Sequence, residues 1–386
     1  MKYVFKKKRY LFLATLLDSI GYFLLWLFRR QRAFSNRSFK NILIVRMDHL
    51  GDVLLSTGAP KILKENFPQC RLTFLTSSWA APLLEHNPFI DEVIIFDAPW
   101  FSKGRYSLKK EPRLRFFGLA SLIKKRKFDM ALSLRGDLRE NLLLWFAGVR
   151  DRIGYGITGG GFLLTKEVHY RERIHEKDRV TNLLRPLGFK AESLKSQIYF
   201  SDDEILLLEK WMAEWGLTGK ERLIGLQCGA GTVSKDWPAA FYLNFLEKAP
   251  SRLKEDFKIV LVGTRLDEGL LKARELAYCV DLVGKTSLRQ LCALMTRLKF
   301  FIGPDSGPTH LASALGVPAL FLFSGTNRFE EWRPLAESAS VLRNPVECSP
   351  CGLQVCNVKG HPCMTGIHPE DVLKAMEEGL LARKGI

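Results

Sequence analysis

Phe300–Ser324 reads FFIGPDSGPTHLASALGVPALFLFS. Two apolar runs rich in Phe and Leu, each short enough for a buried parallel strand, bracket the turn Gly303-Pro304-Asp305-Ser306-Gly307-Pro308 and a helix over Thr309–Leu315. The turn has the composition of an anion cradle. Glycines let the backbone come close to a ligand, Pro308 suits the first helical turn, and the N–H groups there present the positive end of the helix dipole. An ordinary βα turn with an Asp-Ser cap has the same composition, so this stretch alone leaves both readings open.

The pattern extends outward in both directions. RLIGLQCG, FKIVLVGT, VDLVG, KFFIG and PALFLFS read as strands of one βα series, preceded by an amphipathic helix over Ser201–Leu217 (SDDEILLLEKWMAEWGL) with an Asp/Ser start signal. A second series lies upstream. NILIVRM (41–47) reads as a strand, DHLGD as a turn and Val53–Asn66 as a helix, with RLTFLTS, EVIIFDA and DMALSLRG as further strands. Arg152–Phe162 (RIGYGITGGGF) lacks the strand-before, helix-after setting of a dinucleotide fingerprint and reads as a flexible rim. The expected organisation is therefore α/β: a segment 1–40, a Rossmann-like domain over 41–200 and a second over 201–386, both with parallel sheets whose strand C-termini point into a shared cleft.

Composition narrows the class. The chain has 386 residues, enough for two cored domains at roughly 150 residues each, and 47% hydrophobic residues, as a globular protein has. Its net charge of +17 is front-loaded: residues 1–40 carry ten Lys and Arg against Asp18 alone, a net +9. The body is only mildly basic and lacks the interleaved basic and aromatic residues of a nucleic-acid face, so an anionic membrane surface explains the charge better. Tyr10–Phe28 is apolar between KKKR and RRQR, but Thr15, Asp18, Ser19 and Tyr22 form one polar stripe, and an Asp at a bilayer centre costs about 2.5–3.5 kcal/mol. An amphipathic helix lying on the cytoplasmic face of the membrane is expected, with a helix packed on the protein body as the alternative. No small-residue cleavage site follows it, as a signal peptide would require. Eight cysteines show no secreted disulfide framework, which points to a reducing cytosol.

Three motifs coincide in ILIVRMDHLGDVLLST before Gly58, GAGTVSKDWP at 229–238 and GPDSGPTHLASALG at 303–316. Together they resemble glycosyltransferase family 9, the ADP-heptose:lipopolysaccharide heptosyltransferases, over roughly residues 40–380. The resemblance implies the GT-B architecture of two facing Rossmann-like domains, inverting heptose transfer from a nucleotide sugar to a lipid-anchored saccharide of the lipopolysaccharide core, and no metal or other cofactor in catalysis. It implies Asp52 as general base; Arg46 and His49, in the same loop, are further candidates on the acceptor side. Lys235 would meet the donor phosphate beside Thr232 and Ser234. Asp305, Ser306, Gly307 and His310 would hold sugar and diphosphate, and Glu268 the nucleotide ribose. Asp52 opens a helix whose dipole favours the anion, so a carboxylate of ordinary or weakened basicity is expected.

Two features depart from that pattern. His49 could rival Asp52 as base. Cys348, Cys351, Cys356 and Cys363 offer four soft ligands for a structural Zn²⁺, though only the first pair has C-x2-C spacing, and reduced thiols or disulfides stay open. Alternatives to the leading function are the same chemistry with another nucleotide sugar, or a non-catalytic nucleotide-sugar-binding assembly factor that would not need Asp52. A dinucleotide-dependent oxidoreductase is excluded, since no G-x-G-x-x-G follows a strand.

Overall fold

The computed structural model describes residues 8–28, 38–101, 112–189, 194–253 and 256–381. They divide into two compact units, 1–196 and 197–386. In the first, β1 (Asn41–Val45), β2 (Arg71–Thr76), β3 (Glu92–Ile95), β4 (Met130–Ser133), β5 (Asp151–Gly154) and β6 (Lys166–Glu167) pair in parallel in the order β3-β2-β1-β4-β5-β6. In the second, β7 (Arg222–Gln227), β8 (Phe257–Val262), β9 (Cys279–Asp281), β10 (Phe300–Pro304), β11 (Ala319–Leu322) and β12 (Ala339–Leu342) run β9-β8-β7-β10-β11-β12. The two orders are the same, and both are the 3-2-1-4-5-6 order of doubly wound sheets.

This order fixes where chemistry can sit. The first crossover goes one way from β1 and a later one returns to its other side at β4, so a crevice opens above their C-terminal ends; β7 and β10 form the equivalent point in the second unit. The central strands are continuous apolar runs because helices cover both faces: β4, β10 and β11 are buried throughout. Parallel strands of this kind are held by side-chain burial on both faces. Leu43, Val45 and Ala131 pack with Leu143 and Leu144 in the first unit, and Ile224, Leu226, Phe300 and Ile302 with Phe245 and Met376 in the second.

Two local readings change. The helix expected over Val53–Asn66 is two helices, Leu50–Ser56 and Ala59–Asn66. Pro60 cannot continue the hydrogen-bond ladder, and a Cβ on Gly58 would stand 2.2 Å from the Lys195 carbonyl oxygen, so the chain breaks at a glycine. Arg152–Phe162 is not a rim. Its first residues belong to β5, and its glycines seat the helix Lys8–Phe28: Gly160 N donates to Asp18 Oδ1 at 2.7 Å, Tyr22 donates to Glu167, and Phe162 lies against Gly21. Asp18 is 2% exposed. Thr15 and Ser19 face outward instead, donating to carbonyls of their own helix. So do Phe12, Leu13, Leu16, Leu17, Ile20, Phe23 and Leu24. Among the described residues no helix is long and apolar enough to cross a membrane. Lys2, Lys6, Lys7, Arg29, Arg30, Arg32 and Arg37 lie outside the described residues.

Candidate functional site

At the switch point of the first sheet, Arg46 follows β1 and is 2% exposed. A buried guanidinium needs every donor satisfied and its charge matched. Its Nε donates to Asp48 Oδ1 at 2.8 Å and its Nη1 to the Leu134 carbonyl, just beyond β4, at 3.2 Å. Its Nη2 donates both to Asp52 Oδ1 (2.5 Å) and to Glu176 Oε1 (2.8 Å). Arg135 Nη1 holds the other oxygen of Asp48, and Arg179 Nη1 the other oxygen of Glu176. Three guanidinium groups thus interlock with three carboxylates.

Asp52 lies in the first turn of Leu50–Ser56, 6% exposed. Among the described residues its Oδ2 has no hydrogen-bond partner, so that oxygen is the one available to a substrate hydroxyl. Burial pushes its carboxyl up to about 7, and the nearby Asp48 adds to this; Arg46 pulls down and Glu176 pushes up again. This corrects the expectation of ordinary or weakened basicity: desolvation and two carboxylate neighbours outweigh the helix dipole. Burial alone would raise Asp48 as well, but Arg46 and Arg135 bring it below the usual carboxylate range. His49 is exposed and caps the helix through backbone geometry, without a side-chain cap bond. Nearby, Glu140 is fully buried, accepts a bond from Ser133 Oγ and is raised to about 8, by burial and then by Asp137 and Asp48.

At the switch point of the second sheet, Asp305 follows β10 and is 1% exposed. Lys235 Nζ donates to its Oδ2 at 3.0 Å and to its carbonyl oxygen at 2.7 Å. His310 Nε2 stands 3.1 Å from Oδ1, and Asn327 Nδ2 donates to Oδ2 at 2.7 Å. Burial works against the anion here too, but the Lys235 ammonium and the His310 bond outweigh it and hold Asp305 well below the usual range. Ser306 caps the helix Gly307–Ala314 without a side-chain cap bond; its Oγ donates to Gln227 Oε1 at the end of β7, which Thr309 Oγ1 also reaches. Gly303 is required by closeness, since a Cβ would come within 2.5 Å of Thr309 Oγ1.

Lys235, Asp305 and His310 are therefore brought together, with Ser306 and Gly307 adjoining. Thr232 and Ser234 share the Lys235 loop but turn elsewhere: Thr232 Oγ1 is buried and finds no partner among the described residues, and Ser234 faces the cysteine tail, where Leu353 and Gln354 carbonyls accept its Oγ and N and His361 Nε2 meets its carbonyl. Glu268 lines a pocket of ~240 Å³ with Gly229, Asp236, Trp237 and Arg265, beyond the C-terminal ends of β7 and β8. Cys363 is buried and stands within electrostatic reach of Cys348, Cys351 and Cys356. Among the described residues, no three of these sulfur atoms lie within 4.8 Å of one another. Sequence reading missed Asp48, Arg135, Glu176, Gln227 and Asn327. Only Arg46, an arginine at the end of an apolar strand, signalled a buried charge that needs acids around it.

The profile of Glycosyltransferase family 9 (heptosyltransferase) matches residues 117–361. Lipopolysaccharide heptosyltransferase 2 of Salmonella typhimurium is 26% identical over 325 residues, 78% of this chain and 87% of that protein. Among solved structures, a glycosyl transferase family 9 protein from Veillonella parvula superposes with TM-score 0.75 at 24% identity, over 91% of this chain and 100% of that one. E. coli ADP-heptose LPS heptosyltransferase II does so with TM-score 0.70 at 21% identity, over 89% and 99%.

Proposed function

Since the chain belongs to glycosyltransferase family 9, we propose that it is an inverting glycosyltransferase that moves heptose from ADP-heptose to a lipid-anchored saccharide of the lipopolysaccharide core. The observation that carries the residue assignment is the carboxyl of Asp52, buried, anchored through one oxygen by Arg46 and raised to about 7. A base with that pKa is ionised in part at neutral pH yet basic enough to take a proton as the new bond forms.

The acceptor hydroxyl attacks the anomeric carbon on the face opposite the ADP leaving group, which inverts the centre. Asp52 Oδ2 accepts the hydroxyl proton as the hydroxyl gains acidity in an oxocarbenium-like transition state. Arg46, which touches Asp48 and Glu176 as well, positions that carboxylate. Charge develops on the departing diphosphate. Lys235, the amides that open Gly307–Ala314 and the dipole behind them neutralise it, so the transfer draws on no cofactor. Asp305 is saturated by Lys235, His310 and Asn327, which supports a bracing role for it beneath the diphosphate. The pocket at Glu268 suits the nucleoside, with the carboxylate toward the ribose. Cys348, Cys351, Cys356 and Cys363 take no part in the reaction and offer ligands for a structural zinc ion.

The helix Lys8–Phe28 carries the enzyme to its acceptor. Asp18 and Tyr22 of its polar stripe are spent on Gly160 and Glu167, while beside Thr15 and Ser19 its outward face carries seven exposed apolar side chains, Phe12 at 68% and Phe23 at 60% exposure among them, which favours shallow insertion into the cytoplasmic face of the membrane. Incubation with ADP-heptose and a core lipid bearing one heptose tests the function. A product heavier by one heptose, with matching ADP release, is expected; ADP release without product, or binding without either, contradicts the reading.

A further inference from the structure

The apolar core of the first unit continues outward between two of its helices. Helix Pro112–Arg126 packs through Leu119, Ala120 and Ile123, and helix Leu138–Phe146 through Leu143 and Leu144. Beside these, aromatic rings form a cluster that opens to the surface. Phe117 is 59% exposed and Trp145 and Phe146 48% each, with Phe116 leaning back on the core. The rings meet edge to face, their centres 5.6 Å apart for Phe116 and Phe117, 6.1 Å for Phe117 and Phe146, and 5.0 Å for Trp145 and Phe146. Single exposed apolar side chains need no explanation, but a joined patch of rings marks a contact surface.

The charge around the patch decides what kind of surface it meets. Helix Pro112–Arg126 carries Lys and Arg but no acid, and the one acid of Leu138–Phe146, Glu140, is fully buried. Phe117, Ser121 and Lys124 fall at i, i+4 and i+7, so an exposed lysine shares its stripe with the exposed ring. Arg115, Lys125 and, past the second helix, Arg150 are exposed as well. A second copy of the chain would bring like charge against like. An anionic bilayer accepts both parts, the rings at the boundary of headgroups and acyl chains and the long cations reaching back to phosphate. The patch also adjoins the seat of the helix Lys8–Phe28. A Cβ on Gly159 would meet Ala14 and Asp18 of that helix and one on Gly160 would meet Leu138, so one turn supports both helices, and Phe146 lies about 12 Å along its helix from Leu138.

We propose that Phe117, Trp145 and Phe146 form a second membrane contact that inserts just below the headgroups of an anionic bilayer. The proposal rests on the reading above that the chain works at the cytoplasmic face of the membrane. A single helix lying in the interface leaves the body free to roll about that helix's axis. A second contact stops the roll and holds the Asp52 crevice of the same unit at a set tilt over the membrane. Three side chains orient the body without gripping it, so the hold on the bilayer still comes from Lys8–Phe28 and its flanking charge.

The test uses the full chain, without donor or acceptor, on vesicles of equal parts phosphatidylglycerol and phosphatidylcholine. Lipid chains brominated just below the headgroup should quench part of the tryptophan emission, and Trp145→Phe, which keeps the patch apolar, should remove a share of that quenched part. Phe117→Ser/Trp145→Ser/Phe146→Ser should weaken vesicle affinity about tenfold; if that variant does not fold, the quenching in Trp145→Phe decides. Quenched emission that Trp145→Phe leaves unchanged overturns the proposal. So does a wild-type dimer that the triple variant turns into a monomer in sedimentation velocity, which would give the face to a second copy. If the wild type binds no vesicles, the membrane reading of Lys8–Phe28 fails together with the proposal; if it binds and Trp145 is not quenched, that reading stands and the proposal alone fails.

Discussion

Asp52 and Asp305 show how the same residue type is set to opposite tasks by what surrounds it. Both are buried, yet Asp305 faces a lysine, a histidine and an amide while Asp52 shares one arginine nitrogen with Glu176 and lies near Asp48. The first is held anionic and the second is raised to about 7. If Asp52 is the base, kcat/KM should rise with pH through about 7 and level off above it. Glu176→Gln removes a negative charge from that cluster, so the acid limb should move to lower pH; an unmoved limb would separate Glu176 from the titration. Lys235→Ala should weaken ADP binding by about 1.5–3 kcal/mol, the worth of a hydrogen bond to a charged group, as isothermal calorimetry would show. Glu140 gives a stability test. Its folded value of about 8 lies above the ordinary 4.5, so the native state binds the extra proton, and stability falls as pH rises from 4.5 through 8. Glu140→Gln should flatten that fall in urea melts between pH 5 and 9; an unchanged slope would place the titration elsewhere.

At the scale of elements, apolar runs made the strands legible, and the turn at Asp305 and the loop at Asp52 were legible because a glycine and an acid open a helix directly after a strand. What a single sequence hides are contacts between distant residues. Glu176 reaches Arg46 from 130 positions away, and Asn327 reaches Asp305 from another strand's end. Neither leaves a local pattern. The same holds for the break at Gly58, forced by the Lys195 carbonyl, and for the glycines at 159–161, which read as slack until the helix Lys8–Phe28 is seen resting on them. That contact makes a prediction. Asp18→Ala leaves Gly160 N buried without its acceptor, at a cost of about 1–3 kcal/mol. Amides of residues 8–28 should then exchange faster while the strands keep their protection; unchanged exchange in the helix would show that Asp18 does not dock it.

For the whole molecule, two sheets of identical order place one charged cluster at each switch point, Arg46 with its acids in the first and Lys235 with Asp305 in the second. Each cluster belongs to its own unit, and neither draws on the N-terminal helix. Deleting residues 1–40 should therefore leave ADP binding intact while abolishing sedimentation with anionic vesicles; sedimentation that persists would assign the membrane contact to another surface. The central claim is that Asp52 takes the acceptor proton, and the single-turnover rate of heptose transfer in Asp52→Asn tests it most directly. Asparagine keeps the shape and can still accept from Arg46, so ADP binding should hold while the transfer step slows by the ~10²–10⁴ of a lost general base, with His49→Ala slowing it far less. Transfer at the wild-type rate in Asp52→Asn would contradict the account.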